Sequence, residues 1–197
     1  VRPLPFVLPY GVVFLVVFVW AFLPEFRVLR QSRSGAARPH STDAGSRRII
    51  MWGGAVGFWL ALALAFVPPL QFPASLRVAV FVAGLAFIIS GSLLRRHCFR
   101  MLGRYFTGDV KAEAGQPVIE RGAYRWVRHP SYTAGIMMNA GLGLALGSWA
   151  STLVLLGTSL AVYSYRMAVE ERVLRATLGA PYEDYMRRRK RLIPYVF

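Results

Sequence analysis

The run PSYTAGIMMNAGLGLALGSWASTLVLLGTSLAVYSY, residues 130–165, carries no formally charged side chain over 36 positions. As one helix it would be about 54 Å long, against a hydrocarbon core of about 30 Å. That is too long for one crossing. Gly147-Ser148-Trp149 interrupts the run near its middle, so the expectation is two short helices in a tight hairpin, over 131–146 and 150–166. With this stretch in the membrane, three further uncharged runs read the same way: 4–23, 49–67 (ended by Pro68-Pro69) and 78–94 (followed at once by Arg95-Arg96). Each approaches the roughly 20 apolar residues that a crossing needs. Run 4–23 is too long for a signal-peptide core and lacks a small-residue cleavage site, so it reads as a retained span. The expected fold class is an all-α integral membrane protein with five transmembrane helices.

Composition agrees. Of 197 residues, 55% are apolar and 17% charged, where soluble domains average about 25% charged; the mean hydropathy is +0.43. So much apolar surface excludes disorder. The formal net charge of +15, from 24 Lys+Arg against 9 Asp+Glu, would suit a nucleic-acid binder if it were spread along the chain. It is instead clustered between and after the apolar runs: six arginines from Arg27 to Arg48, a second group from Arg95 to Arg128, and a third from Arg166 to Arg191. The opposite connections, 68–76 and 147–149, hold none. By the positive-inside rule the N-terminus is outside and the C-terminus cytosolic, and no nucleic-acid partner is expected. Cys98 is the one cysteine, so no internal disulfide and no zinc spacing is available; it reads as a buried or interfacial thiol.

Gly53-x-x-x-Gly57 and Gly143-x-x-x-Gly147 are small-residue pairs of the kind that let helix backbones approach closely. Segment 25–48, rich in Arg, Ser, Gly and Ala, reads as a flexible loop. Segment 97–129 mixes aromatics with turn residues and is too long for a plain connection, which points to a functional loop. Beyond the last span, 168–178 should extend the helix, Gly179 should end it, and Pro181 should start a short helix over 182–191. Two parts follow: 1–94 with three spans and a basic loop, and 95–197 with the hairpin, the 97–129 loop and the C-terminal helices.

Chemistry concentrates in three clusters. The first, Tyr124-Arg125-Trp126-Val127-Arg128-His129-Pro130-Ser131-Tyr132, lies where polar loop meets apolar helix. Pro130 can open a helix, helix-start N–H groups favour an anion, and Arg128 can pair with a carboxylate. His129 and Tyr132 share a face, and together these groups could hold the carboxylate end of a small zwitterion, or they could simply snorkel. The second is Glu170-Glu171, suited to a ligand ammonium or ribose hydroxyls, or to pairing with Arg166 or Arg175. The third is Arg187–Arg191, where basic residues attract anionic lipids by roughly 1 kcal/mol each; Arg191, just before Leu192-Ile193-Pro194, suggests a more specific role.

The ordered motifs are Leu102-Gly103-Arg104-x-Phe106-Thr107, then Gly115-Gln116-x-Val118-Ile119-x-x-Gly122-x-Tyr124-Arg125-x-Val127-Arg128-His129-Pro130-Ser131-Tyr132-Thr133, then Glu170-Glu171-x-x-Leu174-x-x-x-x-Gly179-x-x-Tyr182-x-x-Tyr185, then Arg191-Leu192-Ile193-Pro194. In this order they resemble the isoprenylcysteine carboxyl methyltransferase family, itself similar to the phospholipid N-methyltransferases, over residues 102–196. The resemblance implies a membrane-embedded methyltransferase that uses S-adenosylmethionine in a site unlike a Rossmann fold. It implies a cofactor site of Gln116, Val118, Ile119, Gly122, Tyr124, His129, Pro130, Tyr132, Glu170 and Glu171. Arg128, Glu171 and Arg191 are the expected catalytic residues. No metal and no obligate protein partner is expected; the expected partners are membrane lipids and a lipophilic substrate arriving from the bilayer. Gln116 stands where many relatives have His and keeps a donor and an acceptor. Ala134 precedes Gly135, which shifts the small residue after Tyr132 by one. Methylation of a phospholipid or a small lipophilic amine or thiol is the alternative; a nicotinamide-dependent lipid reductase and a non-enzymatic scaffold fit the motifs less well.

Overall fold

A computed structural model describes residues 2–34, 45–106 and 115–194. Among them the structure is helical, with no strand beyond two isolated bridges. The helices are α1 (Tyr10–Ser34), α2 (Ser46–Leu64), α3 (Arg77–Leu102), α4 (Pro130–Ala145), α5 (Trp149–Leu178) and α6 (Ala180–Arg188). The hairpin read from 130–165 is α4 and α5, and its turn is capped: the Ser148 hydroxyl accepts from the Ser151 N–H and donates to the Leu70 carbonyl.

Helix limits differ from expectation in four places. The first span begins at Tyr10, not Leu4, because Pro5 and Pro9 lack the N–H that a continuing helix would use; Leu4–Phe6 is one 3-10 turn. Residues 25–34 are not loop but the continuation of α1, and 46–48 open α2; the rest of the expected flexible loop, 35–44, lies outside the described residues. α3 does not stop at Arg95-Arg96. Arginine is a good helix former, and both side chains find partners at the bundle end: Arg95 donates to the Ser131 carbonyl and hydroxyl, Arg96 to the Trp20 carbonyl. The expected 97–129 loop therefore begins as helix, and the 94/95 division falls inside α3. The last helix ends at Arg188, not Arg191, and Gly179 (φ +60°) joins it to α5 as expected.

α3 packs most intimately on α4. A Cβ on Gly84 would stand 2.5 Å from the Ala145 nitrogen, one on Gly141 2.6 Å from the Gly84 carbonyl oxygen, and one on Gly91 2.8 Å from the Ala134 carbonyl oxygen. The Gly53/Gly57 pair does admit a neighbour, α5, at Val162 and Thr158. In the second pair only Gly143 does so, facing Thr152; Gly147 has φ +75° and nothing near it, so it serves the turn. The core is Phe81, Ile88, Met138 and Ala145 with Ala21, and a second cluster of Ala61, Leu142 and Leu155.

The outer surface is apolar. Trp52, Val56 and Trp59 on α2 and Val12, Leu15 and Val16 on α1 are exposed, a patch that a soluble monomer would not leave in water. Three helical segments, Ser46–Leu64, Ala74–Leu102 and Trp149–Leu178, are long and apolar enough to cross a bilayer. The protein is an integral membrane protein.

Candidate active site

The polar site forms at the arginine-rich end of the bundle, where the start of α4, the polar end of α5 and the chain after α6 meet. Its centre is Glu171, buried on α5. Arg128 places Nε 3.1 Å and Nη2 2.9 Å from Glu171 Oε1. His129 Nε2 lies 3.0 Å from the same oxygen; a carboxylate only accepts, so Nε2 carries the proton. Arg191 donates Nη2 to Oε2 at 2.7 Å and Nε at 3.2 Å. One carboxylate thus gathers three donor side chains from both flanking segments, which is how its burial is compensated.

The backbone explains why the three converge. Val127 and Lys190 form a parallel bridge. The Arg128 N–H donates to the Lys190 carbonyl and the His129 N–H to the Arg191 carbonyl, at 2.8 and 2.9 Å. Arg128 Nη1 also donates to the Met186 and Arg189 carbonyls. Pro130 then opens α4, with His129 at the N-cap. The expectation of open N–H groups here is corrected in part: those of Tyr132 and Thr133 bond to the His129 carbonyl.

Glu170 faces a different neighbour. The Tyr132 hydroxyl donates to its Oε2 at 2.7 Å. The Tyr132 ring lies against Tyr163, centroids 5.1 Å apart, in the space that Gly135 leaves. Gly135 thus serves α5 while Ala134 serves α3. The two glutamates do not pair along their own helix: Glu170 goes to Tyr132, Glu171 to Arg128, His129 and Arg191. His129 and Tyr132 spend their donors on these carboxylates, so the idea that they hold a ligand carboxylate does not match the geometry.

Behind the site, Tyr185 on α6 donates its hydroxyl to the Tyr124 carbonyl at 2.7 Å and reaches the Val127 carbonyl at 3.3 Å. Burial raises the phenols of Tyr124, Tyr182 and Tyr185 well above their ordinary value, so they remain protonated donors. Its hydrogen bond to Glu171 raises Arg191 further. Tyr185→Phe is expected to cost about 1 kcal/mol of stability and to loosen Arg128 and Arg191 together. A thermal melt with tyrosine and phenylalanine at 185 checks the first.

Of the expected site residues, the structure brings together Tyr124, Arg128, His129, Pro130, Tyr132, Glu170, Glu171 and Arg191. Gly122 (φ +60°) packs on α3, where a Cβ would meet His97 Nε2 at 2.5 Å. Gln116, Val118 and Ile119 are half-buried in the irregular segment leading to it. Cys98 is buried and forms no disulfide. In the sequence Arg166 reads only as a topology charge or a helical partner for the Glu170-Glu171 pair. It is buried, and its Nη1 donates to Ser46 at the start of α2, 120 residues away; nothing local in the sequence could signal that.

The donor set suits S-adenosylmethionine. Glu170 offers a half-buried carboxylate of which Tyr132 uses one of about four lone-pair directions, leaving acceptors for an ammonium or ribose hydroxyls. The model of the isoprenylcysteine carboxyl methyltransferase family matches residues 84–176. This part of the chain is similar to that family. The matched segment contains the α3–α4 seam, Arg128-His129-Pro130 and both glutamates. The chain is 29% identical over 133 residues to the protein-S-isoprenylcysteine O-methyltransferase of Schizosaccharomyces pombe, covering 64% of this chain and 56% of that protein. It is 29% identical over 115 residues to protein-S-isoprenylcysteine O-methyltransferase B of Arabidopsis thaliana, covering 57% of this chain and 58% of that protein. The chain thus spans little more than half the length of these methyltransferases. Its fold matches the eukaryotic intramembrane Ras methyltransferase ICMT with a TM-score of 0.68 at 22% identity, over 91% of this chain and 64% of that one.

Proposed function

We propose that the protein is an S-adenosylmethionine-dependent carboxyl O-methyltransferase acting on an isoprenylcysteine or another isoprenoid, lipid-like acid. The observation that carries the reading is the buried Glu171 with Arg128, His129 and Arg191 gathered on it, beside the Tyr132–Glu170 pair, all but Arg191 within the segment similar to the family. The cofactor would supply an electrophilic methyl group on a sulfonium. Glu170, Tyr132, His129 and Pro130 would form its pocket with Tyr124, Gly122 and the half-buried Gln116, Val118 and Ile119. Glu171 positions rather than reacts: it fixes both arginines. Arg128 has its guanidinium committed to Glu171 and two carbonyls, whereas Arg191 remains about one-third exposed. Arg191 is therefore the better candidate to orient a substrate carboxylate. Such a nucleophile is already ionised and needs no general base, so holding it in line with the sulfonium supplies most of the rate.

All five apolar runs would cross the bilayer, with the N-terminus outside and the C-terminus and site in the cytosol. The three long apolar helices and the hairpin partner α4 support this, as does the gathering of arginines at one end. The two-part division, 1–94 and 95–197, is then functional: anchoring helices and site-bearing core, sharing α3. The lipid part of the substrate would enter between helices and the cofactor from the polar end.

Transfer of labelled methyl groups to a farnesylcysteine acid tests the activity, and thermal stabilisation by S-adenosylmethionine tests the pocket. Glu170→Gln is expected to lower cofactor affinity about tenfold, the loss of one charge-assisted contact, while leaving the melting temperature without cofactor nearly unchanged. Equal stabilisation of both proteins would remove Glu170 from the pocket.

A further inference from the structure

The basic stretch after α6 builds more than a charged surface. Arg188, Arg189 and Lys190 face Arg125 and Trp126 across an open cleft of about 240 Å³. One of the four cations is neutralised: Arg188 makes a bidentate pair with Glu120 at 2.7 and 2.8 Å. Arg189 is not. Its Nε is buried without a hydrogen-bond partner, and its Nη1 has only a long, 3.4 Å contact to the Arg188 carbonyl. The Arg125 guanidinium lies 5.0 Å from the centre of the Trp126 ring. Arg189 lines the cleft with that long contact as its one printed guanidinium hydrogen bond, so it keeps donors for an anion bound there.

We infer that this cleft binds the phosphate group of an anionic lipid headgroup. Size argues for a single group: the volume is below the roughly 300 Å³ at which sites begin to enclose a whole drug-sized ligand. Position argues for a lipid rather than free phosphate. The cleft lies four residues ahead of Pro130, where the apolar hairpin begins, and its wall includes Trp126, half exposed, a residue that favours the headgroup level of a bilayer. The Val127–Lys190 bridge holds the two walls at a fixed spacing. The inference rests on the membrane placement of the hairpin and not on the methyltransferase reading.

The test is native mass spectrometry of the full chain in neutral detergent, titrated with phosphatidylglycerol or with phosphatidylcholine of the same acyl chains. The wild-type protein should retain phosphatidylglycerol at a concentration about tenfold lower. Lys190→Gln, an exposed position with little power to disturb the fold, should weaken that retention about fivefold, and Lys190→Gln with Arg189→Gln about twentyfold. Arg187→Gln, whose side chain pairs with Asp184 away from the cleft, should leave it unchanged. Equal retention of the two lipids by the wild-type protein would overturn the inference, as would a loss in Arg187→Gln as large as that in Lys190→Gln. Release of bound phosphatidylglycerol by millimolar inorganic phosphate would show a free-phosphate site and overturn the lipid assignment; retention in its presence supports it.

Discussion

Glu171→Ala is expected to destabilise the protein by about 3–5 kcal/mol, the usual result of removing one partner from a buried charge cluster. The reason is asymmetric. The carboxylate is the acceptor on which Arg128, His129 and Arg191 converge, and two of those three side chains are themselves largely buried. Without it the cations face one another across a small space, and the segment after α6 loses its side-chain anchor to α5. On the proposed function, methyl transfer should disappear with it. Glu171→Gln should do less harm to folding, since the amide oxygen still accepts, but it leaves the cations uncompensated, so activity should still fall by orders of magnitude. A thermal melt and a labelled-methyl assay on the three proteins separate these effects. A Glu171→Ala protein that melts like wild type would show that the cluster does not hold this end together.

The second large effect is steric. Gly84→Leu should abolish folding into the membrane or leave a protein that aggregates on extraction. Even the first carbon of the new side chain would stand 2.5 Å from the Ala145 nitrogen and 2.6 Å from the Gly141 carbonyl oxygen. Both are backbone atoms, so the helices themselves must separate, and overpacking of even a compliant core costs about 1–3 kcal/mol. Separation would also displace the start of α4, and with it His129 and Tyr132. Gly54→Ala is the matched control. A Cβ there meets nothing within 4 Å, and alanine favours a helix over glycine by up to about 1 kcal/mol. Monodisperse yield after detergent extraction should be near zero for the first and at least wild type for the second. Equal yields would refute the seam.

Much of this was legible in the chain. Uncharged runs of about 20 residues have one comfortable environment, so the apolar helices and the hairpin at Gly147-Ser148 follow from composition and the length of a helix turn. Gly179-x-Pro181 marked the break between α5 and α6 because glycine tolerates φ +60° and proline suits a first turn. Helix ends were less legible. Charge marks where a membrane stops, not where a helix must, which is why α3 runs through Arg95-Arg96 and α1 through 25–34.

What the sequence by itself determined is therefore the class: a helical membrane protein with its charge at the helix ends, its ordered motifs beside them, and a glutamate pair near the end of the last long helix. Which glutamate meets which partner was decided only in three dimensions. Neighbouring helical residues point about 100° apart, so Glu170 and Glu171 serve different walls, and the walls come from segments 38 to 43 residues away in the chain. The α3–α4 seam was hidden for the same reason. Gly84 and Gly91 are seven apart and unremarkable until the backbone of α4 is laid against them. Contacts between distant segments depend on how the helices cross, and no local pattern encodes that.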